Sequence, residues 1–123
     1  MASRHIQFGQ KGESIAARHL KRCGYKILVQ NYRNKIGEID IIARDGDTIV
    51  FVEVKTRRND HFGGPKWAVT FQKQRKISMV ALSYLKELQL NGCRARFDVV
   101  TVLENDKKPS VEIIKNAFEL AYK

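Results

Sequence analysis

The chain has 123 residues, 43% of them hydrophobic and 29% charged, with a net charge of +10. That length fits a single domain spanning residues 1–123, with a core that needs neither disulfides nor a structural metal. Apolar runs too short for a bilayer and an N-terminus without a signal-peptide core argue against membrane insertion and export. The distant Cys23 and Cys93 point to a reducing, cytoplasmic setting.

The spacing predicts a first helix over residues 7–23, with Ala16, Ala17 and Leu20 on one face and Gly24 as its cap. Tyr25 to Tyr32 reads as a strand, followed by a polar turn through Asn34 and Lys35. Gly37 to Arg44 reads as a second strand and Thr48 to Thr56 as a third, joined by a hairpin turn at Asp45-Gly46-Asp47. Residues 57–66 are polar and read as a loop. A long helix over about Thr70 to Leu90 follows, with Ile77, Val80, Ala81, Tyr84, Leu85 and Leu88 as its buried stripe and Asn91-Gly92 as its stop. Arg96 to Leu103 reads as a fourth strand, residues 105–109 as a turn and Val111 to Ile114 as a short edge strand. A terminal helical turn is expected to carry Phe118. The order is α-β-β-β-α-β-β. Short connections make the first three strands an antiparallel meander, and the long helix carries a right-handed parallel crossover.

The charge is spread through the folded body, since residues 1–60 and 61–123 each carry a net +5. Such a surface suits a polyanion. The acids are less even: six of the thirteen fall between Glu38 and Asp60, flanked by basic segments. Four residues break their local pattern. Glu13 shares the helix stripe of Ala16, Ala17 and Leu20, which should pack on the sheet. Asp40 interrupts the apolar run Ile39-Asp40-Ile41-Ile42. Glu53 and Lys55 point to one face of the strongly apolar strand Val50-Phe51-Val52-Glu53-Val54-Lys55. Through the hairpin, Asp40 can lie across from Glu53. Carboxylates brought together repel and raise each other's pKa unless a cation joins them, and Mg²⁺ takes oxygen ligands of this kind. A buried Glu-Lys ion pair that only fixes the fold is the structural alternative.

Asp40, twelve residues, then Glu53-Val54-Lys55 resembles the D…(D/E)-x-K motif of the restriction-endonuclease-like nucleases. Glu13 resembles the extra acid of the archaeal Holliday junction resolvase branch. A closer resemblance is to the YraN family of small bacterial proteins. It is carried by Gly12-Glu13-x-x-Ala16, Asn31-x-Arg33, Gly37-Glu38-Ile39-Asp40, Phe51-Val52-Glu53-Val54-Lys55-x-Arg57, Phe62-Gly63, Lys73-Gln74 and Arg96-Phe97-Asp98-Val99-Val100, and covers nearly the whole chain. Ile39 replaces the proline usual before the motif's aspartate. The resemblance implies a three-layer α/β/α restriction-endonuclease-like fold with a mixed central sheet. It also implies a metal-dependent endonuclease acting on DNA, with branched or recombination intermediates among the expected substrates. Asp40 and Glu53 would be the main ligands of Mg²⁺ or Mn²⁺, with the Val54 carbonyl a further one. Glu13 would hold a second metal or an outer water, and Lys55 would be the catalytic lysine.

Arg57 and Arg58, with His61, are placed in the loop after the third strand, where they are expected to meet nucleic acid. Lys73, Gln74, Arg75 and Lys76 open the long helix near the same strand end and are expected to contact phosphates. A solvated helix face is the ordinary reading of such a run. Glu38 is expected to pair with a nearby arginine rather than reach the metal. Asp98 divides evenly between a structural acceptor and a group that orients Lys55. Tyr32 and Trp67 are more often anchors than stacking platforms. The expected partner is nucleic acid, DNA before RNA, with no membrane; a homodimer stays open. Two rivals stand beside the nuclease: a nucleic-acid-binding module that does not cut, and a protein-interaction scaffold.

Overall fold

The computed structural model describes residues 4–57, 68–90, 92–104 and 108–121, and the side chains from residue 11 onward. The elements follow the expected order: α1 (Arg4–Arg22), β1 (Lys26–Arg33), β2 (Glu38–Asp45), β3 (Thr48–Arg57), α2 (Phe71–Glu87), β4 (Arg94–Leu103) and β5 (Ser110–Phe118). The strands form one mixed sheet in the order β1-β2-β3-β4-β5. Both hairpins of the β1-β2-β3 meander are antiparallel, β3 and β4 run parallel across α2, and β5 returns antiparallel to β4.

Side-chain alternation divides the sheet between two cores. Ala16, Ala17 and Leu20 of α1 pack with Ile41, Ala43, Val50, Val52, Val100 and Val102 on one face. Ile77, Val80, Ala81 and Tyr84 of α2 pack with Ile42, Ile49, Phe51 and Phe97 on the other. A helix on each face of a mixed sheet is the three-layer α/β/α architecture. Among the described residues no helix is long and apolar enough to cross a membrane.

The alternation breaks once in β2. Ile39 packs on the α2 side and Ile41 on the α1 side, although residues two apart on a regular strand share a face. The strand therefore turns about its axis at Asp40. Across from it in β1, between the pairs Gln30↔Ile41 and Tyr32↔Ile39, Asn31 has φ 55. Asparagine tolerates that left-handed conformation better than most residues.

Several boundaries differ from expectation. Arg57 is the last residue of β3 rather than part of a loop, while Arg58, His61, Phe62, Gly63, Pro65 and Trp67 lie outside the described residues. Thr70 is the N-cap of α2, its side chain accepting from the Lys73 amide. The helix ends before Asn91-Gly92, because Gln89 turns left-handed (φ 57) and the Leu88, Gln89 and Leu90 amides close back onto Tyr84, Lys86 and Leu85. Leu88 is thereby left 51% exposed instead of joining the stripe. Phe118 ends β5 and is not in a helical turn. Asn116 (φ 53) absorbs a register shift, the strand resumes beyond it, and Phe118 stacks on Phe97 with centroids 4.9 Å apart.

Candidate active site

β2 and β3 are paired as far as Ile41↔Val52, so the next residues inward from the sheet end are Asp40 and Glu53. The ladder stops there. Asp40 takes over its hydrogen bonding, with Oδ2 accepting the Val54 amide at 2.8 Å. An extended residue points its N–H and C=O to the same neighbour, so the Val54 carbonyl faces this gap too.

Glu53 lies on the α2 side with a side chain only 13% exposed, and Lys73 of α2 stands 3.4 Å from its Oε2. Burial first, then a hydrogen bond and charge repulsion from Asp40, push the Glu53 carboxyl up to about 8; Lys73 only partly offsets this. From the α1 side comes Glu13. Its Oε1 is buried without a hydrogen-bond partner. Burial, followed by repulsion from Asp40 and then Glu38, pushes its carboxyl up to about 7. Two acids from opposite faces of the sheet thus flank the aspartate at its end, and neither is comfortable as an anion.

Lys55 follows Glu53 on the same face and donates to the Ala68 carbonyl, just before α2. Burial and the Arg57 charge hold its pKa below the usual lysine value, against a smaller opposing pull from Glu53 and with Lys73 adding to the decrease. The ammonium is therefore close to the acids electrostatically while tied to the chain that leads into α2.

Of the residues expected to meet nucleic acid, Arg57 is half-buried at the end of β3, and Arg75 and Lys76 are exposed on α2. Lys73 is engaged with Glu53, and Gln74 donates to the Val69 carbonyl at 2.8 Å, so the start of α2 is partly bound to the site itself. Arg58 lies outside the described residues. Glu38 pairs with Arg33 at 2.9 Å, as expected. Tyr32 is an anchor: its ring meets Tyr84 edge-on at 5.1 Å. Asp98 is structural. It is fully buried and accepts from Tyr25, Arg96 and the Asn116 amide. Asp45, read as a turn residue, also holds Arg96 at 2.7 Å. That partner was not visible from local sequence because it sits 51 residues away.

Among the described residues, no three of His, Cys, Asp and Glu converge as a ready-made metal cage. The donor set nevertheless fits a hard divalent ion. It offers carboxylate oxygens that repel one another, one buried oxygen without a partner, and a backbone carbonyl facing the same gap.

These features define a three-layer α/β/α domain with an acid cluster and a lysine at one end of a mixed sheet. The chain belongs to the YraN family: the model of "Uncharacterised protein family UPF0102" matches residues 12–102. Relatives bear the same family name. The chain is 54% identical to a UPF0102 protein of Geobacter metallireducens, over 99% of this chain and 100% of that one. It is 53% identical to one of Syntrophus aciditrophicus, over 98% and 94%. One from Geotalea uraniireducens is 56% identical, over 93% and 91%.

Proposed function

We propose that this protein is a metal-dependent endonuclease that hydrolyses phosphodiester bonds in DNA, working in the cytoplasm. The observation that carries the reading is the buried, unpartnered Oε1 of Glu13 beside the mutually repelling Asp40 and Glu53. Leaving such a group unsatisfied is expensive, and a divalent cation satisfies it.

Asp40, Glu53 and the Val54 carbonyl would hold the ion, and Glu13 would hold a second ion or an outer water. A bound Mg²⁺ or Mn²⁺ supplies Lewis acidity and an ionisable water at neutral pH. The Val54 amide fixes the rotamer of Asp40, so the ligand is oriented before anything binds. Lys55, kept partly desolvated, places its ammonium where negative charge grows on the phosphoryl oxygens. Arg57, Arg75 and Lys76 provide phosphate contacts along the same sheet end, in a molecule of net charge +10. The resemblance to Holliday junction resolvases supports DNA, with branched forms among the substrates.

A second reading, binding without cutting, is favoured by one observation: Lys55 is tied to Ala68 and Glu53 to Lys73. Both contacts must loosen for catalysis. Linear, flapped and four-way-junction DNA incubated with Mg²⁺ or Mn²⁺ separates the two. Cutting that disappears in Asp40→Asn and Lys55→Ala supports the nuclease. Salt-sensitive binding with no cutting by the wild type supports the second reading, and cutting that survives both substitutions contradicts the assignment of the site.

A further inference from the structure

Gly12 lies in the middle of α1, where glycine costs a helix about 1 kcal/mol relative to alanine. The reason for its presence is on the neighbouring strand. A Cβ on residue 12 would collide with Thr56 Oγ1 and stand 3.1 Å from its Cγ2 and 3.2 Å from its Cβ. Rotation of Thr56 about χ1 relieves the Oγ1 collision only by turning the Cβ hydrogen toward residue 12, and the Thr56 Cβ, fixed to β3, stays 3.2 Å away in any rotamer. Here the α1 backbone rests directly on the α1 face of β3, one residue beyond Lys55 and one residue before Glu13.

We propose that Gly12 is a positioning residue: its missing side chain lets α1 settle on Thr56 at the depth that brings the Glu13 carboxylate to Asp40 and the divalent-ion site. The inference rests on the metal-site reading above. Further along the helix, Ala16, Ala17 and Leu20 are held in the core with Ile41, Ala43 and Val50. A side chain at residue 12 therefore acts as a wedge just N-terminal to the anchored part of the helix. It tilts the Glu13 end outward while the other end stays packed. Glu13 Oε1 is buried without a hydrogen-bond partner among the described residues, so no bond at that atom pulls it back.

The test measures Mn²⁺ affinity by calorimetry on the full chain, with urea unfolding alongside, for wild type, Gly12→Ala, Thr56→Ala, the double variant, and Glu13→Gln with and without Gly12→Ala. Gly12→Ala is expected to weaken Mn²⁺ binding roughly tenfold, as for other groups that orient a ligand. Thr56→Ala alone leaves affinity near wild type, and the double variant regains most of the loss because the colliding Oγ1 and Cγ2 are gone. In the Glu13→Gln background, Gly12→Ala adds no further loss, which a general weakening of the fold would not reproduce. If Gly12→Ala alone fails to fold, the double variant decides: folded with near-wild-type affinity supports the inference, and folded with weak affinity overturns it. Wild-type affinity in Gly12→Ala, or losses that add in the Glu13→Gln background, overturns the positioning role and leaves the metal site standing. Absence of Mn²⁺ binding by the wild type overturns the metal-site reading itself, and the positioning role with it.

Discussion

Asp40 and Asp98 occupy similar places in the fold and opposite surroundings. Each interrupts an apolar strand, and each lies beside an edge strand in which an asparagine turns left-handed, Asn31 in β1 and Asn116 in β5. Around Asp98, among the described residues, three groups donate to the carboxylate. The Tyr25 hydroxyl at 3.0 Å, the Arg96 guanidinium at 3.0 Å and the Asn116 amide at 2.9 Å all point to its carboxylate. Arg96 in turn reaches Asp45. Burial works against the Arg96 charge, but its hydrogen bonds to Asp98 and Asp45 outweigh it and raise the pKa above the usual arginine value. Around Asp40, among the described residues, the Val54 amide is joined by two acids, Glu13 and Glu53. Buried charge alone therefore does not mark a site, since one of these aspartates closes a network and the other leaves one open. The open one is where a ligand has something to contribute.

Four substitutions or conditions break or sharpen that contrast. The largest expected effect is from Asp98→Ala, which takes the shared buried acceptor from the Tyr25 hydroxyl, the Arg96 guanidinium and the Asn116 amide, leaving Arg96 with Asp45 and Tyr25. A loss of about 3–5 kcal/mol is expected, read from chemical denaturation. Asp40→Asn should do the reverse. It keeps an oxygen for the Val54 amide and removes a repelling charge, so unfolding midpoints hold or rise. DNA cleavage, followed on gels, falls by about 10²-fold or more, the scale on which positioned ionisable groups act.

The third concerns pH. The folded-state pKa values of Glu13 and Glu53, about 7 and about 8, lie above the ordinary carboxylate value of 4.5. A carboxyl raised on folding favours the folded state fully below 4.5, and this contribution is lost as pH rises through the folded value. Melting temperature in the presence of a chelator should thus decline between pH 4.5 and about 8. Glu53→Gln should flatten most of the decline, and added Mg²⁺ should reverse it in the wild type. A profile unchanged by Glu53→Gln would assign the slope elsewhere. The smallest effect is expected from Tyr25→Phe, which removes one donor from an aspartate that keeps the others. It should lower stability by about 1 kcal/mol in the same denaturation measurement and leave Mn²⁺ binding untouched.

The sequence carried the acid cluster more clearly than the satisfied network, for a physical reason. Glu13 on an alanine-leucine stripe, and Asp40 joined to Glu53 through a tight hairpin, are local patterns: periodicity turns Glu13 toward the sheet, the hairpin sets Asp40 near Glu53, and the family resemblance joins the three. The Tyr25–Asp98 contact spans 73 residues and needs the assembled sheet to exist. For the same reason Asp98 could not be divided between structure and function beforehand, and Asp45 passed for a turn residue. The β5 boundary failed differently. Lys115-Asn116 looks like a strand stop, but the left-handed Asn116 only shifts the register, and stacking on Phe97 draws Phe118 back into the sheet. The engagement of Lys73 with Glu53 was likewise hidden, because a basic run at a helix start normally faces water.

Paramagnetic broadening by Mn²⁺ in the NMR spectrum of the whole chain tests the acid cluster most directly. Amide signals of Glu13, Asp40, Glu53 and Val54 should broaden first at substoichiometric Mn²⁺, and Asp40→Asn should abolish the effect. Broadening that leaves those four signals sharp, or persists unchanged in Asp40→Asn, would contradict a divalent-ion site at this end of the sheet.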